Sequence, residues 1–177
     1  MKFDAEIVVP ACQRMETDAQ RCLYEHFAPL MMGVCVRYCR SRDEARDLLH
    51  DGFVKVFENI RQLKDPSAVQ PWMYKIMVNE GVNYLQRHSR VVCCDMSDVM
   101  IDECKDVFDT DAFLIEEVLD AMHQLPEIYQ IVFNLHEVEE YSFAEIAQLL
   151  NVQEGSVRTY LFRARSKIRK ILENKRI

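Results

Sequence analysis

The densest chemistry in the sequence lies at its C-terminal end. Between Ser156 and Ile177 stand Arg158, Arg163, Arg165, Lys167, Arg169, Lys170, Lys175 and Arg176 against one acid, Glu173, a local +7 in a chain of formal charge −7. Such bases do two kinds of work on nucleic acid. A guanidinium fork reads guanine edges in a groove, and cations of either type grip phosphates without reading sequence. At helical spacing Arg158, Phe162, Arg165 and Arg169 form one stripe, flanked by Thr159, Arg163 and Lys170. All lie away from an apolar seam of Val157, Leu161, Ala164, Ile168 and Leu172, whose separations of three and four residues put them on one face. A first turn presenting Ser156, Arg158 and Thr159 suits base edges in a major groove, and the later bases suit phosphates. The plainer alternative is a solvated basic face, common in terminal helices.

Other reactive residues assemble into nothing comparable. Cys93, Cys94, Cys104, His88 and His123 lack the short Cys-x2-Cys or His-x3-His spacings of a zinc site. Cys35 and Cys39, one helical turn apart on an apolar face, read as buried thiols behaving as small hydrophobes. Carboxylates are many, but none pairs with a nucleophile or a Gly-rich loop. No catalytic residue, metal or cofactor is expected.

The elements that must position the basic stripe are helical. Four glycines and five prolines punctuate 177 residues, and apolar residues recur at three- and four-residue intervals. A first helix carries Leu23, Phe27, Met31, Val34 and Tyr38 and ends near Ser41. Ser41 to Glu44 reads as a capping box opening a helix that buries Ala45, Leu48, Leu49, Phe53, Val56, Phe57 and Ile60. Another helix starts close to Pro71 and runs through Trp72, Ile76, Tyr84 and Leu85 to about Arg87. Between Val92 and Asp111 seven acids face one base, Lys105, and no helical stripe persists. Periodicity resumes at Phe113, with a second helix after Leu125-Pro126-Glu127. Ser142 to Glu145 is a further capping box, its short helix bearing Ile146, Leu149 and Leu150 and stopping at Asn151. The last helix begins near Glu154, so the final elements have the proportions of a helix-turn-helix unit. The expected fold is all-α: two small helical domains, 1–92 and 112–177, joined by an acidic linker, 93–111, the C-terminal domain being the helix-turn-helix.

Composition agrees with a folded chain, at 49% hydrophobic and 29% charged residues. The N-terminal apolar run is short and broken by Glu6 and Pro10, unlike a secretory signal, and no apolar stretch is long enough to span a bilayer. Seven cysteines without repeating spacing suit reduced thiols, so a soluble, cytoplasmic protein with no membrane insertion is expected.

A family resemblance sharpens this reading. Leu125-Pro126-Glu127, Tyr141 to Ala147, Gly155-Ser156-Val157-Arg158 and Phe162-Arg163-Ala164-Arg165 resemble, in order and spacing, the C-terminal promoter-binding domain of extracytoplasmic-function (ECF) sigma factors of the sigma-70 family. Asp43 to Phe57, with Asp47-Leu48-Leu49-His50-Asp51-Gly52-Phe53, resembles the family helix that docks on RNA polymerase. Trp72 to Ile76, Val78-Asn79 and Asn83-Tyr84-Leu85 resemble the segment that melts and recognises the −10 element. The resemblance implies a transcription initiation factor that is not an enzyme, with core RNA polymerase, promoter DNA and an anti-sigma factor as partners. It implies −35 contacts by Ser156, Arg158, Thr159, Phe162, Arg163 and Arg165. Docking falls to Asp47, Leu48, His50, Asp51 and Phe53, with the acids and histidine opposite the Leu48 and Phe53 packing. Single-strand contacts fall to Trp72, Lys75, Asn79, Asn83 and Arg87. Chemistry supports the last set: with Tyr74 and Arg90 these residues supply flat rings for unpaired bases, amides for base edges and cations for the backbone. A core anchor is the equal alternative for Trp72. Four residues depart from the pattern: Met77 where the family often has a small residue, Gly81 inside a helix, Tyr160 in place of a frequent base, and Asn151 at the turn where the family often has glycine, a substitute that tolerates left-handed backbone. The rival from another class is a stand-alone helix-turn-helix regulator, which would bind DNA without polymerase, usually as a dimer.

Overall fold

A computed structural model describes residues 2–88 and 115–175, and among them every regular element is helical. The chain divides into two compact units, Met1–Tyr84 and Leu85–Ile177. The acidic stretch expected as a linker lies outside the described residues, as do Arg90, Cys93, Cys94 and Cys104.

The first unit is built on α1 (Ala5–Gln13), α2 (Thr17–Cys35), α3 (Arg42–Asn59) and α4 (Val69–His88) as far as Tyr84, with two short 3₁₀ turns before α4. No helix is expected ahead of Leu23, yet α1 forms. Asp4 caps it, its carboxylate accepting from the Glu6 N–H at 3.0 Å, and Val8, Val9, Ala11 and Cys12 are buried. Pro10 sits inside it, where a missing N–H ordinarily argues against helix; burial of that apolar face outweighs the loss. The Gln13 amide closes the end of α1 onto the chain after α3, donating to the Ile60 and Leu63 carbonyls at 3.1 and 2.8 Å.

α2 buries Leu23, Phe27, Met31 and Val34 as the periodicity predicts, but its α-helical part stops at Cys35, short of the expected Ser41. Tyr38, wholly buried, follows in a turn. The Ser41 capping box forms in full: the Ser41 hydroxyl accepts from Glu44 N–H at 3.2 Å, and the Glu44 carboxylate accepts from Ser41 N–H at 3.1 Å.

Two of the sequence's departures explain themselves in packing. A Cβ at Gly81 would lie 2.5 Å from Tyr38 Cδ2 and 2.6 Å from its Cγ, so glycine lets the tyrosine ring lie directly on the α4 backbone. Met77 in turn lies over Gly52 of α3, its sulfur occupying the space a larger residue would fill. Burial of the thiols follows the apolar reading: it pushes Cys12 up to about 11, and Cys35 and Cys39 to about 12.

The second unit contains α5 (Ile115–His123), α6 (Glu127–Phe133), a π-helical turn (Asn134–Val138), α7 (Phe143–Leu150) and α8 (Glu154–Asn174). The five seam residues of α8 are all buried as expected. On α7 the expected stripe changes: Ile146 and Ala147 are buried and Leu149 is 40% exposed. The Ser142 capping box is complete, and Asn151 ends α7 in the left-handed region at φ 54°, ψ 47°, a conformation asparagine tolerates better than most residues.

Candidate nucleic-acid interface

Within the second unit, α7, the Asn151 turn and α8 make the helix-turn-helix, and the first turns of α8 carry the residues expected to read DNA. Arg158 is the most open of its arginines, with 59% of its side chain exposed. Its guanidinium lies 4.4 Å from the centroid of the Phe143 ring, and Nη2 is 3.7 Å from the Glu154 carboxylate one turn back. Phe162, one turn on, is 40% exposed. Thr159 donates its hydroxyl proton to the Gly155 carbonyl at 2.9 Å, which leaves the oxygen lone pairs and the methyl group for a ligand. Ser156 is half-buried at the helix start. Arg163 is half-buried, and its Nη1 donates to the Tyr129 hydroxyl of α6 at 3.3 Å.

Arg165 needs correction as a member of the outward stripe. Its Nη2 and Nε donate to Glu137 Oε1 at 2.6 and 3.2 Å, and the two side chains are only 27% and 20% exposed. The carboxylate on the π-helical turn draws the arginine along the unit's own surface. Glu137 also meets His136 Nδ1 at 3.0 Å, and the His136 ring stacks on Phe143 at 4.6 Å and 25°.

Along α4 the single-strand candidates share one face. Trp72, Lys75, Asn79, Asn83 and Arg87 are spaced by three and four residues, whereas Met73, Met77, Val78, Val82 and Leu85 are buried. Lys75, Asn83 and Arg87 are exposed; Trp72 and Asn79 are half-buried, so the indole is neither fully buried nor fully open. Tyr74 is placed differently, its hydroxyl accepting from Arg37 Nη2 at 2.9 Å. That tyrosine is half-buried, with its hydroxyl engaged within the unit.

α3 presents Asp47, His50 and Asp51 on one exposed face. Leu48 and Phe53, expected among the contact residues, are instead 4% and 3% exposed and belong to the core, so they support this face from behind. The Phe53 ring packs on Tyr24 at 4.6 Å, and the Tyr24 hydroxyl lies 3.5 Å from His50 Nε2. The sequence reading missed Val54, 53% exposed on the same face three residues beyond Asp51. Its only signal in the sequence is helical spacing, seven residues from Asp47 and three from Asp51. Glu137, His136 and Tyr129 were missed because nothing in the linear spacing ties them to α8.

Comparison with known proteins agrees with this arrangement. The Sigma-70 region 2 family matches residues 23–91, which contain α3 and α4, and the Sigma-70 region 4 family matches residues 115–168, which contain α7, the Asn151 turn and α8 as far as Ile168. The chain is 27% identical to the ECF RNA polymerase sigma-E factor of Haemophilus influenzae, over 96% of this chain and 94% of that protein. It is also 27% identical to the RNA polymerase sigma-H factor of Pseudomonas aeruginosa, over 94% and 92%. Among solved structures, the sigma factor RpoE of Bartonella quintana, crystallised with the anti-sigma factor NepR, shares the fold at TM-score 0.54 and 16% identity, over 86% of this chain and 96% of that one. Together with the two helical faces and the helix-turn-helix, these matches make the chain a member of the sigma-70 family, an RNA polymerase sigma factor of the ECF group.

Proposed function

We propose that this sigma factor directs core RNA polymerase to its promoters through three surfaces on two domains, 1–92 and 112–177, joined by the acidic segment 93–111. The exposed face of α3, with Asp47, His50, Asp51 and Val54, docks on the polymerase. The face of α4 bearing Trp72, Lys75, Asn79, Asn83 and Arg87 takes the melted strand of the −10 element. The start of α8 reads the −35 element: Arg158 and Thr159 reach base edges, and Ser156, Phe162 and Arg163 support them. Arg165, engaged by Glu137, fixes how α8 sits on its own unit and contributes to the DNA surface only at its margin. The observation that supports this reading most is the exposed Arg158 near the start of α8, the second helix of a helix-turn-helix whose first helix is capped at Ser142, in a chain whose overall charge opposes DNA binding. A net charge of −7 makes duplex binding by the chain alone weak, so recognition depends on assembly with polymerase.

The chain binds and positions; it carries out no catalysis of its own. Among the described residues no helix is long and apolar enough to cross a membrane, and we place the factor in the cytoplasm with the polymerase. An anti-sigma factor completes the partner set, on the analogy of the Bartonella quintana complex.

The test is reconstitution. The purified chain and core polymerase should give run-off transcripts from a cognate promoter that neither gives alone, and Arg158→Ala should relax preference at one −35 base pair. Specific, high-affinity duplex binding by the chain without polymerase would refute the reading and favour a stand-alone regulator.

A further inference from the structure

We infer that Phe143 is a positioning residue that sets the aim of Arg158 and thereby governs discrimination at one promoter base pair. This rests on the assignment of Arg158 as a base-reading residue made above.

Phe143 is the first helical residue of α7, directly after the Ser142 cap, and is half-buried. Its backbone is fixed by the reciprocal Ser142 and Glu145 hydrogen bonds. Two planar groups meet its ring: the Arg158 guanidinium at 4.4 Å and the His136 imidazole at 4.6 Å. His136 stands beside Glu137, which holds Arg165 of α8. The ring of Phe143 therefore connects the π-helical turn to the reading turn of α8.

Arg158 needs such a guide. Its side chain is 59% exposed, and its nearest carboxylate, on Glu154, is 3.7 Å away, beyond a direct hydrogen bond. An arginine on a helix surface samples many rotamers, yet bidentate reading of a base edge demands one orientation of the fork. An aromatic face attracts a guanidinium and favours poses lying flat against it, which restricts those rotamers before DNA arrives. Leucine at 143 would keep the apolar volume but lose the ring. Tyrosine would keep the ring.

The experiment is run-off transcription by the reconstituted holoenzyme across single-base variants of the −35 element, with thermal melts of each protein. Phe143→Leu should lower discrimination roughly two- to fivefold, the strength of an exposed cation–π contact, at the one position that Arg158→Ala relaxes. Phe143→Tyr should retain it, and adding Phe143→Leu to Arg158→Ala should change discrimination no further. His136→Leu should give a smaller relaxation at the same position, and it stands in if Phe143→Leu melts below the assay temperature. A uniform loss over all promoter variants for Phe143→Leu and for His136→Leu, or additivity with Arg158→Ala, overturns the positioning role. If Arg158→Ala itself relaxes no position, the base-reading assignment fails and this inference fails with it.

Discussion

Gly81→Ala is the sharpest test of how the first unit is packed. In an open helix this substitution stabilises by about 0.5–1 kcal/mol, because glycine loses more backbone entropy on folding than alanine. At Gly81 the added Cβ would lie 2.5, 2.6 and 2.9 Å from three carbons of the Tyr38 ring, well inside van der Waals contact. Tyr38 is wholly buried, so the ring has no open space to move into. Overpacking of this kind costs about 1–3 kcal/mol, which outweighs the entropic gain and leaves a net loss of roughly 1–2 kcal/mol. For a unit of this size that lowers Tm by roughly 4–15 °C. Gly33, inside α2 with nothing within 4 Å of its Cβ position, is the internal control, and Gly33→Ala should stabilise by about 0.5–1 kcal/mol. Urea titration followed by the fluorescence of Trp72, the single tryptophan, reports on α4 itself. In a Tyr38→Leu background Gly81→Ala should become neutral or stabilising. If Gly81→Ala raises the urea midpoint of the otherwise native chain as Gly33→Ala does, the ring does not lie on the α4 backbone and the account of Gly81 is wrong.

Reversing Asp47 and Asp51 to lysine together should abolish association with core polymerase while the circular dichroism spectrum is retained; unchanged affinity in a pull-down refutes the α3 docking face. Lys170→Ala, late on α8, should weaken transcription from all promoters alike and reduce its salt dependence, the signature of a phosphate contact, as run-off assays at two salt concentrations would show. Glu137→Ala leaves a mostly covered Arg165 without its carboxylate and should destabilise the second unit by about 1–3 kcal/mol, measured by denaturant titration. Burial raises Cys12, Cys35 and Cys39, so their thiolates are suppressed at neutral and mildly alkaline pH and form only as pH climbs toward 11–12. Alkylation followed by mass spectrometry at pH 8 should therefore label them far more slowly in the native protein than in urea.

What the sequence determined by itself is whatever depends on near neighbours along the chain. Capping boxes join residues three apart, so Ser41 with Glu44 and Ser142 with Glu145 were legible and are present. A helix stripe repeats every three or four residues, so the buried seam of α8 and the five-residue face of α4 could be read directly. Asn151 was legible for the same reason, since a left-handed residue at a helix end is a local event. Tertiary structure decided what depends on partners far away in sequence. α1 exists because its apolar face is covered by other helices, against the local signal of Pro10. Gly81 and Met77, unexplained in the linear pattern, are set by Tyr38 and Gly52 on other elements. Arg165 looked like its neighbours on a basic stripe, and a carboxylate 28 residues earlier engages its guanidinium within the unit. Spacing fixes which face of a helix a residue occupies; what that face meets is settled by long-range packing and charge, whose partners no local pattern names.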